Sequence, residues 1–486
     1  MPACQTCGAR ISGFSFGSTP ATECRDCLKK KKEAALLSGP STAAAPGVAS
    51  HSLPMPVVTF VIMATNIAVY LAMGLSGASW TEPSVIDAIR WGADFGPLTL
   101  GGQWWRLFTS TFVHFGIVHI ALNMWCLFGL GQSLEYLMGR KAFAASYVVT
   151  GIAASTVSLW WRPWSVSAGA SGAIFGIAGA FAAYVYLKRI GPVPHAVGRT
   201  GKSLAVFIVY NLVRGAAAGG VDNSAHVGGL LAGIILGVIV PPLIRVRASK
   251  DSAPTDPYVG VRAPLPIEHT AEDDAHSNRV AWGIIAGSAI VLLLACVGLR
   301  SYHIAYAKYG EAVRMVRQGR LDDAVAAMRQ SVARDPAFGE AQDYLAELEL
   351  ERGDPQAAVP LLEAGVAKDS ADMQDRQNLA LADIGTGEFN DASRYIAAVV
   401  QAEKNEPSWD TIFIRGIAKG ETGDFAGAIQ DLQLVSQDEP NLTEARDALA
   451  RYQALSKHSQ DAKQIPPLTI PYSQLVVKSN YWPIFP

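Results

Sequence analysis

Charge is scarce in this sequence, and neither sign is in excess. Only 17% of the 486 residues are Asp, Glu, Lys or Arg and the formal net charge is -2, so no bulk attraction to nucleic acid is expected. Cysteine is also rare. Of six, Cys126 and Cys296 stand alone in apolar runs, where they read as filling on helix surfaces. No cleavable signal peptide is apparent, because the first apolar run begins near Val57 behind a polar, lysine-rich leader; that run is expected to stay as a membrane anchor. What the chain has in abundance is apolar surface. Half of it is hydrophobic, which points to a membrane protein, and it is too long for one compact soluble domain.

Apolar stretches of spanning length, divided by short polar or Gly/Pro turns, predict helices at roughly 57–75, 112–137, 142–161, 169–187, 203–219 and 224–244. A proline-containing, acidic stretch at 246–279 reads as a loop, and 280–300 as a seventh span. Ahead of the spans stand a cysteine module at 1–32 and a linker at 33–55. Residues 56–245 make the six-span core, 301–456 a second domain and 457–486 an irregular tail. Basic residues gather in the leader and in the loops after spans two, four and six, among them Arg140, Lys141, Lys188, Arg189, Arg245 and Arg247. The positive-inside rule therefore places the amino terminus in the cytoplasm, and seven spans place everything after Arg300 on the extracytoplasmic side.

That last portion is periodic. Gly319, Gly353, Gly387 and Gly423 recur at intervals of 34, 34 and 36 residues, each followed five positions later by an alanine: Ala324, Ala358, Ala392 and Ala428. The pattern resembles tetratricopeptide repeats, in which each unit is a helix–turn–helix with the glycine in the turn. Small alanines let paired helices approach, and no unit buries its apolar face alone. A superhelix of four repeats, with 442–455 as a capping helix, is expected to bind a protein or peptide.

The chemistry-bearing residues lie inside spans, where polar groups cost free energy unless partnered. His119 and Asn123 are four apart on span two and share a helix face, with His114 about one turn earlier. Gly169-Ala170-Ser171-Gly172 opens span four, and Ala225-His226-Val227-Gly228-Gly229 opens span six. Under the charge-derived topology all three clusters enter from one side and fall in one layer. A serine hydroxyl is a weak nucleophile until a base takes its proton, and histidine suits that work. Gly172 and Gly176 on one span, and Gly229, Gly233 and Gly237 on the other, have the small-xxx-small spacing that lets two spans approach closely. Asn123, His119 and the Ser171 amide are candidate oxyanion donors. A transporter would need ionisable residues at several span midpoints, whereas the polar groups here cluster at one end.

At these residues the chain resembles the rhomboid intramembrane proteases. That family carries a Trp-Arg pair in the first loop, His-xxx-Asn on the second span, Gly-x-Ser-Gly on the fourth and Ala-His with small residues on the sixth. Here these are Trp105-Arg106, His119 to Asn123, Gly169 to Gly172 and Ala225-His226, in the family's order over about residues 57–245. The resemblance implies a Ser171–His226 catalytic dyad needing no cofactor, an oxyanion site lined by His119 and Asn123, and Arg106 folding the first loop. His114 is expected to brace that loop. Phe175 stands where some bacterial members stack a tyrosine on the catalytic histidine, and a phenyl ring can still stack. The implied substrates are single-span membrane proteins, the implied setting a bacterial plasma membrane. The alternatives are an inactive relative serving as a membrane chaperone, and an adaptor working through its repeats.

In the leader, Cys4-x-x-Cys7 and Cys24-x-x-Cys27 present four thiolates that can close tetrahedrally on a structural zinc. A reducing cytoplasmic side disfavours disulfides there. The expected architecture is all-α: a polytopic helical bundle of six spans and a seventh, followed by a tetratricopeptide-repeat solenoid.

Overall fold

The computed structural model describes residues 55–187, 208–213, 215, 221–240, 271–369, 372–404, 406–457 and 468–478, with positions 6, 7, 26, 27 and 30 of the leader. The chain divides into Met1–Leu53 and Pro54–Pro486, and the second unit contains helices α1 to α19. Of the four leader cysteines, Cys4 and Cys24 lie outside the described residues.

Among the described residues, four helices are long and apolar enough to cross a bilayer: α1 (Val57–Leu75), α5 (Ile117–Met138), α6 (Arg140–Trp161) and α9 (Ala271–Tyr302). Two shorter apolar helices, α7 (Ser171–Tyr186) and α8 (Asn223–Ile239), pack among them. The stretch expected to be the fifth span lies largely outside the described residues; 208–213 within it are helical. The second span begins at Ile117 rather than near 112, because Gly116 takes φ +104 and the loop passes so close that a Cβ there would lie 1.9 Å from the Thr81 carbonyl oxygen. The seventh span starts nine residues early, its polar first turns continuing the helix beyond the apolar window.

The loop between α1 and α5 is itself folded, into α2 (Val85–Arg90), α3 (Gly96–Leu100) and α4 (Arg106–Thr109). Ser84 and Asp87 close a reciprocal capping box that starts α2. At the far end of α5 the buried Glu135 carboxylate accepts the Val58 amide at 3.0 Å, the Thr59 amide at 2.8 Å and the Thr59 hydroxyl at 2.9 Å. It thus satisfies orphan donors at the positive end of α1.

From α10 onward the helices run as pairs: α10 (Ile304–Arg317) with α11 (Leu321–Arg334), α12 (Gly339–Glu351) with α13 (Pro355–Lys368), α14 (Met373–Thr386) with α15 (Phe389–Ala402), and α16 (Trp409–Glu421) with α17 (Phe425–Asp438). Then α18 (Thr443–Ser456) and a short α19 (Tyr472–Leu475) follow. Gly319, Gly353, Gly387 and Gly423 lie in the four intra-pair turns, at φ +71, +79, +87 and +97, where any side chain is strained. Ala324, Ala358, Ala392 and Ala428 are fully buried. The glycine period therefore marks turns and the alanine period marks helix contacts.

The first pair rests on the folded loop. α3 and α10 touch backbone to backbone at Gly101 and Gly310, and a Cβ at Gly310 would lie 1.7 Å from the Pro97 carbonyl oxygen. Arg314 donates to the Gly101 carbonyl at 2.7 Å. Trp164, in the turn between α6 and α7, meets the rings of Tyr309 and Phe338 at 5.5 and 5.0 Å between centroids. The helical pairs thus sit at the end of the bundle where α5, α7 and α8 begin.

Candidate active site

Three helix starts converge on one cavity. Ser171 is the first residue of α7, His226 lies in the first turn of α8, and His119 and Asn123 lie in the first two turns of α5. All four, with Gly169 and Asp222, line a cavity of about 400 Å³. The convergence depends on glycine. A Cβ at Gly229 would lie 2.1 Å from the Gly172 carbonyl oxygen, and one at Gly233 1.7 Å from that of Gly176. α7 and α8 therefore pack main chain against main chain, which brings the side chains at their starts within reach.

Ser171 Oγ and His226 Nε2 are 2.9 Å apart. The imidazole stacks on Phe175, ring centroids 4.2 Å apart and planes within 2° of parallel, which fixes its rotation. Among the described residues no protein atom pairs with His226 Nδ1. The pair therefore has the form of a dyad, with no carboxylate on the far nitrogen.

On the other wall, the Phe115 amide donates to His119 Nδ1 at 3.4 Å. The proton of a neutral ring is then on Nε2, the nitrogen that lies against Gly169, where a Cβ would sit 2.9 Å from it. Gly169 adopts φ +129 and has no side chain to block that approach. Asn123 Nδ2 donates to the His119 carbonyl at 3.1 Å, leaving its second N–H for another acceptor. The N–H of Ser171, as the first helical residue, has no partner within the helix. His119, Asn123 and Ser171 line the same cavity.

His114 does more than brace its own loop. Its Nδ1 lies 3.2 Å from the Phe112 carbonyl and its Nε2 accepts the Ala170 amide at 3.4 Å, so it holds the backbone one residue before Ser171. Arg106 is buried and donates to the Ile89 and Ala93 carbonyls at 2.7 and 2.8 Å and to Gln103 at 2.7 Å. It ties α2, α4 and the intervening turn together. Burial lowers its pKa to about 10, so the guanidinium stays charged at neutral pH.

Sequence reasoning missed Asp222 and Ser158. Asp222 is the N-cap of α8, accepting the Ala225 amide at 3.0 Å, and its carboxylate also takes the hydroxyls of Ser158 and Ser224. Burial works to raise its pKa, but the hydrogen bonds from Ser158, Ser167, Ser224 and the Ala225 amide outweigh it and hold the group below the usual carboxylate value. An ionised carboxylate four residues before His226 therefore sets where α8 begins and pins it to α6. An aspartate ahead of Ala225-His226 carries an N-cap signal; Ser158 carries none.

Comparison with known proteins places the chain in a family. The rhomboid domain family matches residues 101–242, which include all three clusters. The chain is 28% identical over 332 residues to the rhomboid protease GluP of Bacillus subtilis, covering 67% of this chain and 57% of that protein. It is 32% identical over 222 residues to the rhomboid protease AarA of Providencia stuartii, covering 41% of this chain and 78% of that one. With the rhomboid-like protease 3 of Toxoplasma gondii it shares 33% over 184 residues, 36% of this chain and 66% of the relative. The chain is an integral membrane protein and belongs to the rhomboid family.

Proposed function

We propose that this chain is an intramembrane serine endopeptidase that cleaves single-span membrane proteins through an acyl-enzyme on Ser171. His226 takes the Ser171 proton as the hydroxyl attacks the scissile carbonyl, then delivers it to the leaving amine. In the second half it deprotonates a water that attacks the acyl ester, and the proton returns to Ser171. His119 Nε2, Asn123 Nδ2 and the Ser171 amide donate to the oxyanion of each tetrahedral intermediate. Asp222 keeps α8 in register and supplies a negative charge near the imidazolium. No metal or cofactor takes part.

The observation that carries this reading is the 2.9 Å hydrogen bond between Ser171 Oγ and His226 Nε2, with the imidazole held flat on Phe175. A relative that served only as a membrane chaperone would have no need of that pair. The helix pairs α10–α17 are read as four tetratricopeptide repeats that bind a protein or peptide, and the adaptor alternative rests on them. The two Cys-x-x-Cys pairs of the leader supply the donor set for one structural zinc.

The purified chain, reconstituted in lipid with a panel of single-span proteins, is expected to cut at least one within or beside its span. Mass spectrometry of the product ends locates the cut. Failure to cut any member, or cuts confined to distant soluble loops, would contradict the proposal.

A further inference from the structure

The tail of the chain has no periodicity of its own, yet residues 468–478 are held against the helical pairs. α12 and α14 are the first helices of adjacent pairs, and the tail lies across both. The carboxamide of Asn378, on α14, accepts the Val477 amide at 2.9 Å and donates to the Val477 carbonyl at 2.9 Å. One side chain thereby satisfies both main-chain groups of one residue, as a neighbouring strand would. Such a contact reads backbone and is indifferent to the side chain it meets, proline excepted.

Around that clamp are three further contacts. Lys478 pairs with Glu351 at 2.7 Å. Leu475 and Val476, 1% and 7% exposed, are buried in the core shared by the helical pairs. The Tyr472 hydroxyl lies over Gly385, where a Cβ would be 1.9 Å away. Asn378 itself is 1% exposed in the interior of a helix, a position that disfavours asparagine unless its amide is used. Gln374, one turn earlier, donates to Glu347 at 3.0 Å and extends the polar strip along the same face.

We propose that the face formed by α12 and α14 is a binding site for an extended peptide, and that residues 471–478 occupy it as the chain's own displaceable ligand. The recognised pattern is an aromatic, then two buried apolar residues, then a backbone pair and a lysine. A segment of another protein with that pattern enters only when the tail leaves, so the tethered copy sets a threshold for binding. The effective concentration of such a tethered segment is on the order of millimolar, so it excludes weak competitors. This inference does not depend on the chemistry at Ser171.

The test uses the full chain and a fluorescein-labelled synthetic peptide of residues 468–481, followed by fluorescence anisotropy. Leu475→Asp with Val476→Asp releases the tail and leaves the face intact, and this variant is expected to bind the peptide at least about tenfold more tightly than wild type. Adding Asn378→Ala is expected to remove that binding. Equal binding to wild type and released variant, or none to a released variant with unchanged helicity, overturns the proposal. Should the double substitution unfold the chain, Lys478→Glu, which opposes Glu351, is expected to admit the peptide severalfold better than wild type, and no gain there overturns it equally.

Discussion

Ser171→Ala is expected to lower kcat/KM for a single-span substrate by at least about a thousandfold, with the melting temperature unchanged. The side chain removed is small, at the first position of α7, where no helix cap depends on it. His226→Ala is expected to cost about as much, since without a base the hydroxyl stays protonated and without an acid the leaving amine departs poorly. The double variant should be no worse than either single one, because the two groups act as a unit. Additive losses, or a Ser171→Ala variant that still cleaves, would show that proton transfer does not run between them.

The second large effect is structural. Gly233→Val places a Cβ where the Gly176 carbonyl oxygen is only 1.7 Å away, and neither backbone can yield without parting α7 from α8. The loss of stability is expected to be about 3 kcal/mol. Activity should fall further than stability, because Gly233 lies two turns below His226 on the same helix and parting the helices moves the imidazole from Ser171; a displacement of about 1 Å costs on the order of a hundredfold. Gly129→Ala is the control. Its Cβ would meet nothing within 4 Å, so thermal melting and cleavage should match wild type. Equal tolerance at both glycines would refute the close-packing argument.

Much of this was legible because it is local or periodic. His119 and Asn123 share a helix face by their spacing, and polar residues inside apolar runs announce themselves. The glycine period marked four turns that do require positive φ, and the glycines of α7 and α8 marked an interface. Apart from Asp222, whose place ahead of Ala225-His226 is an N-cap signal, what escaped reading has no local signature. α2, α3 and α4 are four to six residues long, too short for any apolar period to form. Ser158 meets Asp222 across 64 positions of sequence, and Val477 meets Asn378 across 99, so only the fold brings them together. The docking of Gly310 on Gly101 was hidden for the same reason, since a glycine in a helix reads as a weak point until its neighbour is known.

Mass spectrometry of the folded chain after treatment with a fluorophosphonate probes the activated hydroxyl most directly. A single adduct on Ser171 is expected in the wild-type chain and in Asn378→Ala, and none in His226→Ala. A folded wild-type chain that takes no label at Ser171, or labelling that survives removal of the imidazole, would contradict a nucleophile activated by His226.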